Sequence, residues 1–152
     1  MSLNYWPFWI GGIIGTVLLD IDHLIYVFFL NTNELTSQRV NFLLKKKEIS
    51  RIITLLHETR EERKNLVFHT LFFQAVLFVL TFLIISSSTS IFVRGIVLAS
   101  CLHLSVDQLA DFFDMKHLGN WGKISIVEFG SHKSALYILA SFLLILIMGF
   151  LM

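Results

Sequence analysis

The stretch Leu18-Leu19-Asp20-Ile21-Asp22-His23-Leu24-Ile25 decides how this chain is read. Two carboxylates and an imidazole fall close together, inside a run that is otherwise apolar from Tyr5 to Leu30. A hydrophobic run of that length predicts a membrane-spanning helix. An ionisable side chain within such a helix costs about 2.5–3.5 kcal/mol on insertion scales, so each one is a functional candidate. Asp combined with His is also a ligand set suited to a divalent cation.

Composition extends that reading to the whole chain. The 152 residues are 55% hydrophobic and 15% charged, with a mean hydropathy of +0.74. This is too apolar for an ordinary soluble domain and fits a small polytopic membrane protein. Four stretches, about 6–30, 66–85, 91–110 and 134–152, qualify as spans. The expected fold is therefore all-α: four transmembrane helices in a bundle, forming one membrane-embedded domain over residues 1–152.

The basic residues orient the bundle. Of twelve Lys and Arg, eight lie between Arg39 and Lys64, three are Lys116, Lys123 and Lys133, and Arg94 stands apart. By the positive-inside rule, loops 31–65 and 111–133 are cytoplasmic and both termini external, with a Ser86–Ser90 turn joining the second and third spans. No basic n-region or cleavage site marks the N-terminus as a removable signal peptide. The lone Cys101 has no internal disulfide partner and reads as packing. The expected partners are membrane lipids, not nucleic acid.

Tyr5, Trp6 and Trp9 surround Pro7 as an interfacial anchor with proline in the first helical turn. Gly11 and Gly15 have the small-xxx-small spacing of closely packed helices. Segment 31–65 is too long for a plain loop. Ile49, Ile52, Ile53 and Leu56 predict an amphipathic helix there, with Lys45–Lys47, Glu48 and Arg51 on its remaining surface. Such a helix lies on the inner leaflet or caps the bundle. His57 and Glu61, one turn apart on it, read as solvated rather than ligating. The third span carries Ser100, His103, Asp107, Asp111 and Asp114 on one stripe. Segment 112–133 holds His117, Trp121, Glu128 and His132, whose roles the sequence leaves open. The last span, with no ionisable residue, is a wall of the bundle.

Helix rise places the deep polar groups in one layer. Asp20, His23, His69, His103 and Asp107 all lie roughly 18–26 Å from the outer ends of their spans. No nearby Lys or Arg balances the carboxylates, so a shared cation is the economical partner. His with carboxylate suits Zn²⁺, Mn²⁺ or Fe²⁺ better than the oxygen-seeking Mg²⁺ or Ca²⁺. Asp22 points about 160° from Asp20 on an ideal helix, so it either orients a histidine or the helix is irregular there.

These motifs resemble those of a known family. Asp20-Ile21-Asp22-His23 resembles the Pro-Asp-x-Asp-His signature of the bacterial inner-membrane metal-dependent hydrolases, the LexA-regulated type long catalogued as a domain of unknown function. Phe68-His69-Thr70 is similar to that family's Thr/Phe-His-Ser/Thr step. Leu102-His103-Leu104-Ser105-Val106-Asp107-Gln108 is similar to its His-Leu-Leu-Leu-Asp motif. The order matches over roughly residues 10–115. Leu19 replaces the usual proline, and Lys64-Asn65-Leu66 stands where the family has His-Arg-Gly. The resemblance implies that Asp20, Asp22, His23, His69, His103 and Asp107 are metal and catalytic residues in a bacterial inner-membrane protein.

The expected function is a metal-dependent hydrolase acting near the cytoplasmic face, with Asp20 or Asp22 as the proton acceptor. A lipid-like ester or phosphoester is the expected substrate, Zn²⁺ the first-choice ion. The rival is a metal or proton permease using the same residues as a relay. The nearly bare outer halves of the spans favour the enzyme.

Overall fold

One proline in 152 residues leaves the long apolar runs free to coil, and that proline, Pro7, sits in a first helical turn where its missing N–H is harmless. The computed structural model describes residues 5–59, 66–87, 90–118, 121 and 130–152. Its elements are α1 (Trp6–Ile25), a π-helical turn (Tyr26–Leu30), α2 (Leu35–Lys45), α3 (Ile49–Glu58), α4 (Leu71–Ser86), α5 (Ile91–Met115) and α6 (Ser131–Phe150). No strand occurs among the described residues.

Three helices are long and apolar enough to cross a membrane: Trp6–Leu30, Ile91–Met115 and Ser131–Phe150. The sequence predicts four, and the stretch 66–85 is the exception. It yields α4, of only 16 residues, about 24 Å long against a hydrocarbon core of ~30 Å. The cause is local. Thr70 is extended (φ −128°, ψ 149°) and its hydroxyl accepts the Phe73 N–H, which fixes the helix start at Leu71. The residues just before it bend instead of coiling.

The chain divides into two compact units, Met1–Leu19 with Phe68–Met152, and Asp20–Val67. In the larger unit α5 is central, packed on α4 and α6. It also meets α1 with no side chain between them. A Cβ at Gly11, Gly15 or Gly95 would collide with the carbonyl oxygens of Phe92, Ile96 and Phe8 respectively. Glycine is what permits this backbone approach. Ser100 Oγ then donates to the Gly15 carbonyl at 3.0 Å. The apolar core includes Leu19, Leu77, Cys101, Leu104, Leu118 and Ile138.

The seam between α4 and α5 is polar. Thr81 Oγ1 meets Cys101 Sγ at 3.2 Å, and Gln74 Nε2 donates to Ser105 Oγ at 3.1 Å. Gln74 Oε1 accepts from Gln108 Nε2 (2.6 Å) and from the Tyr137 hydroxyl of α6 (2.8 Å). At the far end Arg94 donates to the carbonyls of Ile85 and Met152. Its positive charge there suits the negative end of α4.

The smaller unit forms around Tyr26, Val27, Val40 and Ile52. The Asn31 N–H bonds the Tyr26 carbonyl across five residues, closing the π-helical turn. Tyr26 then reaches Glu34 Oε2 with its hydroxyl at 2.8 Å. Where the sequence predicts one amphipathic helix, the structure has two, joined at Lys47 in the left-handed region (φ 59°). The predicted apolar stripe also splits. Ile52 is buried and Leu56 half-buried, but Ile49 and Ile53 are exposed.

Candidate metal centre

Helix periodicity places His103 and Asp107 one turn apart on the same side of α5. His69 arrives from a different geometry: it precedes the Thr70 cap, so it sits in the bend ahead of α4 rather than inside a helix. These two elements bring His69 Nε2 to 3.1 Å and His103 Nε2 to 3.3 Å from one oxygen, Asp107 Oδ2. The three ligand atoms all lie within 4.8 Å of one another. His69 is buried, and His103 and Asp107 are about one-sixth exposed.

Second contacts fix the rings. The His69 and His103 rings meet edge to face, 6.2 Å apart at 71°. Trp121 packs against His69 at 5.6 Å. Trp121 is itself held twice: its indole N–H donates to Asp111 Oδ2 at 2.6 Å, and its carbonyl accepts the Leu71 N–H at 3.1 Å. The Trp121 carbonyl thus satisfies an otherwise orphaned donor at the start of α4, while the ring orients the histidine.

The spacing fits a cation. Ligands bound at 2.0–2.1 Å in a tetrahedron stand about 3.3 Å apart; the two His–Asp edges are 3.1 and 3.3 Å, and with all three atoms within 4.8 Å the imidazoles need only close slightly on an ion. The His69 distance also suits a hydrogen bond if that imidazole carries its proton on Nε2, whereas the buried His103 Nε2 lacks hydrogen-bond geometry to Asp107. A bound cation would take those lone pairs in place of the protons. Two imidazoles and one carboxylate leave coordination positions open, as at catalytic zinc sites and in the two-His-one-carboxylate iron sites.

Asp20, Asp22 and His23 lie in the smaller unit: Asp20 exposed, His23 half-buried, and Asp22 fully buried with Oδ1 accepting the Val67 N–H at 3.1 Å. His57, His117 and His132 are exposed. Glu61 and Glu128 lie outside the described residues, as do Lys64 and Asn65.

Sequence reasoning left Asp111 on the ligand stripe, whereas the structure pairs it with Trp121. It missed the Gln74–Ser105–Gln108–Tyr137 network. The signal was present, since Cys101, Ser105 and Gln108 recur at i, i+4, i+7 on α5. No protein-family model, curated protein or solved structure matches this chain. The site is therefore read from its own chemistry.

Proposed function

We propose that this chain is a membrane-embedded, metal-dependent hydrolase of the bacterial inner membrane. His69, His103 and Asp107 hold one divalent ion, Zn²⁺ first and Mn²⁺ or Fe²⁺ next. One observation carries the reading: two imidazole nitrogens converge on a single carboxylate oxygen within a helical unit built largely of apolar spans. A cation bound there acts as a Lewis acid and acidifies water. The chain's own contribution is positional. Asp107 aligns the His69 imidazole and lies 3.3 Å from His103 Nε2, and Trp121 packs edge to face with His69. The motif resemblance supports Asp20 or Asp22 as proton acceptor, a role that rests on sequence alone. A site beside long apolar helices favours a lipid-like ester or phosphoester.

The topology that goes with this reading has loops 31–65 and 111–133 on the cytoplasmic side, supported by the clustering of basic residues. In it, α4 and the bent residues before it cross together beside α5.

A permease is the second reading, and the polar seam between α4 and α5 favours it. Thr81 and Cys101 carry hydrogen-bonding groups two helical turns beyond Gln74 and Ser105 respectively at most. Beyond them lies an apolar cluster of Ile85, Leu98 and Met148, with Arg94 capping the carbonyls there. A relay ending in an apolar plug suits an enzyme better.

The test uses purified full-length protein with a panel of lipid-linked esters and phosphoesters, with added Zn²⁺ or Mn²⁺. Turnover that vanishes together with bound metal in His103→Ala supports the hydrolase. Asp20→Asn or Asp22→Asn should keep metal and lose rate by roughly 10²–10⁴. Absence of turnover, combined with Asp107-dependent metal flux into proteoliposomes, overturns the hydrolase in favour of the permease.

A further inference from the structure

The exposed surface of α2, α3 and the turn between them resembles neither a folded core nor a soluble exterior. Along α2, Leu35, Arg39, Phe42 and Lys46 recur at helical spacing, and all four are exposed. From α3, Ile49 and Ile53 project outward, 64% and 65% exposed. Between the helices, Lys47 in its left-handed conformation turns the chain so that Lys45, Lys46 and Lys47 all stand in solvent. Lys46 Nζ lies 4.4 Å from the Phe42 ring centroid, a cation–π contact that places a positive charge directly beside an exposed aromatic ring. Residues 35–53 carry five basic side chains against one acidic, Glu48. That acid is engaged by Arg51 at 2.6 Å, which leaves the lysines unneutralised by it.

Three occupants compete for such a face: a bilayer surface, a second copy, or another protein. Two observations favour the bilayer. First, the smaller unit contains the end of an apolar span in its own body, since Trp6–Leu30 is long enough to cross a membrane and residues 20–30 belong to this unit. Phe29 is 80% exposed and Leu30 50%, so the unit already carries lipid-facing surface. Second, the charge is of one sign. A two-fold dimer would set this basic patch against its own copy, whereas anionic headgroups neutralise it.

We propose that α2 and α3 form a docking surface for anionic phospholipid. Phe42, Ile49 and Ile53 enter the interfacial layer, while Arg39 and the Lys45–Lys47 run meet headgroup phosphates. This surface is independent of the metal centre, and its test involves no metal and no turnover.

Full-length protein carrying Cys101→Ser is placed in lipid nanodiscs, with an environment-sensitive fluorophore on Phe42→Cys or Ile53→Cys. Glu58→Cys, exposed and roughly 140° around α3 from Ile53, is the control. In discs containing phosphatidylglycerol, the probes at 42 and 53 should shift to the blue and be quenched by bromine-labelled acyl chains, with the probe at 58 unchanged. Each Lys→Gln substitution at 45, 46 or 47 should lower the docked-to-undocked ratio by about fivefold, and high salt should mimic the loss. Equal quenching in neutral phosphatidylcholine discs would overturn the charge-directed surface. A blue shift without lipid quenching would assign the face to a second copy or another protein. Water-like probes in every disc would refute docking altogether.

Discussion

Helices α5 and α6 are both long and apolar enough to cross a membrane, yet they commit their polar atoms to other segments to different degrees. On α5, Ser100, Ser105, Asp107 and Gln108 all bond to groups on other segments: α1, α4 and the bend before α4. On α6, Ser141 returns its hydrogen bond to the Tyr137 carbonyl of its own helix, and Ser134 donates to the Gly130 carbonyl just ahead of it while accepting the Leu118 N–H at 3.1 Å. The glycines differ in the same sense. Gly95 of α5 lies against the Phe8 backbone, whereas nothing lies within 4 Å of a Cβ placed on Gly149 of α6. Similar hydropathy thus conceals different duties. One helix organises the unit and holds the site, while the other mainly encloses it, reaching other segments through Tyr137 and Ser134.

The sharpest way to break this contrast is to remove the carboxylate that both histidines share. Asp107→Asn should weaken metal binding at least about 100-fold, the upper end of what loss of an outer partner alone costs. Ser141→Ala on α6 should leave metal affinity unchanged. Isothermal titration with Zn²⁺ in detergent measures both. The same titration should weaken as pH falls from 7.5 to 5.5, because ligating imidazoles must be unprotonated and protons then compete with the ion. Affinity unchanged in both His69→Ala and His103→Ala would remove the histidines from the centre.

Stability should separate the two helices next. Gly95→Ala forces a methyl into the Phe8 backbone and should destabilise by ~1–3 kcal/mol. Gly149→Ala should stay within about 0.5 kcal/mol of the parent, as a surface change does. Unfolding in mixed micelles of rising denaturing-detergent fraction reads both, and equal effects would mean that α1 and α5 do not meet at Gly95. Gln74→Leu comes after that. It strips partners from Ser105, Gln108 and Tyr137 at once, and should lose ~1–2 kcal/mol at the modest value each interhelical bond has in a membrane. The smallest effect belongs to Ser141→Ala, which removes a bond within one helix and should change stability by less than about 0.5 kcal/mol.

Much of this was legible in the residues. Composition and run length alone point to apolar helices of membrane-crossing length, because the hydrophobic period and the bilayer thickness are both set by simple geometry. The i, i+4 spacing of His103 and Asp107 requires that they share a face of α5, and the small-xxx-small pair Gly11 and Gly15 marks the close-packed side of α1. Local rules of that kind need no knowledge of distant contacts.

Tertiary structure decided the rest, for reasons that no local pattern contains. Hydropathy counts residues 66–70 towards a span, but the Thr70 cap starts α4 at Leu71, and the Trp121 carbonyl from fifty residues away accepts its first free N–H. His69 consequently approaches Asp107 from a bend. Asp111 lies on the same helical stripe as Asp107 and differs from it only in its neighbour, an indole N–H in place of two imidazoles. Ile52 and Ile53 are adjacent and chemically identical, and only the packing of α3 on Tyr26, Val27 and Val40 buries one and leaves the other at the surface. Periodicity determines which residues face the same way. What they face depends on which other elements fold against them.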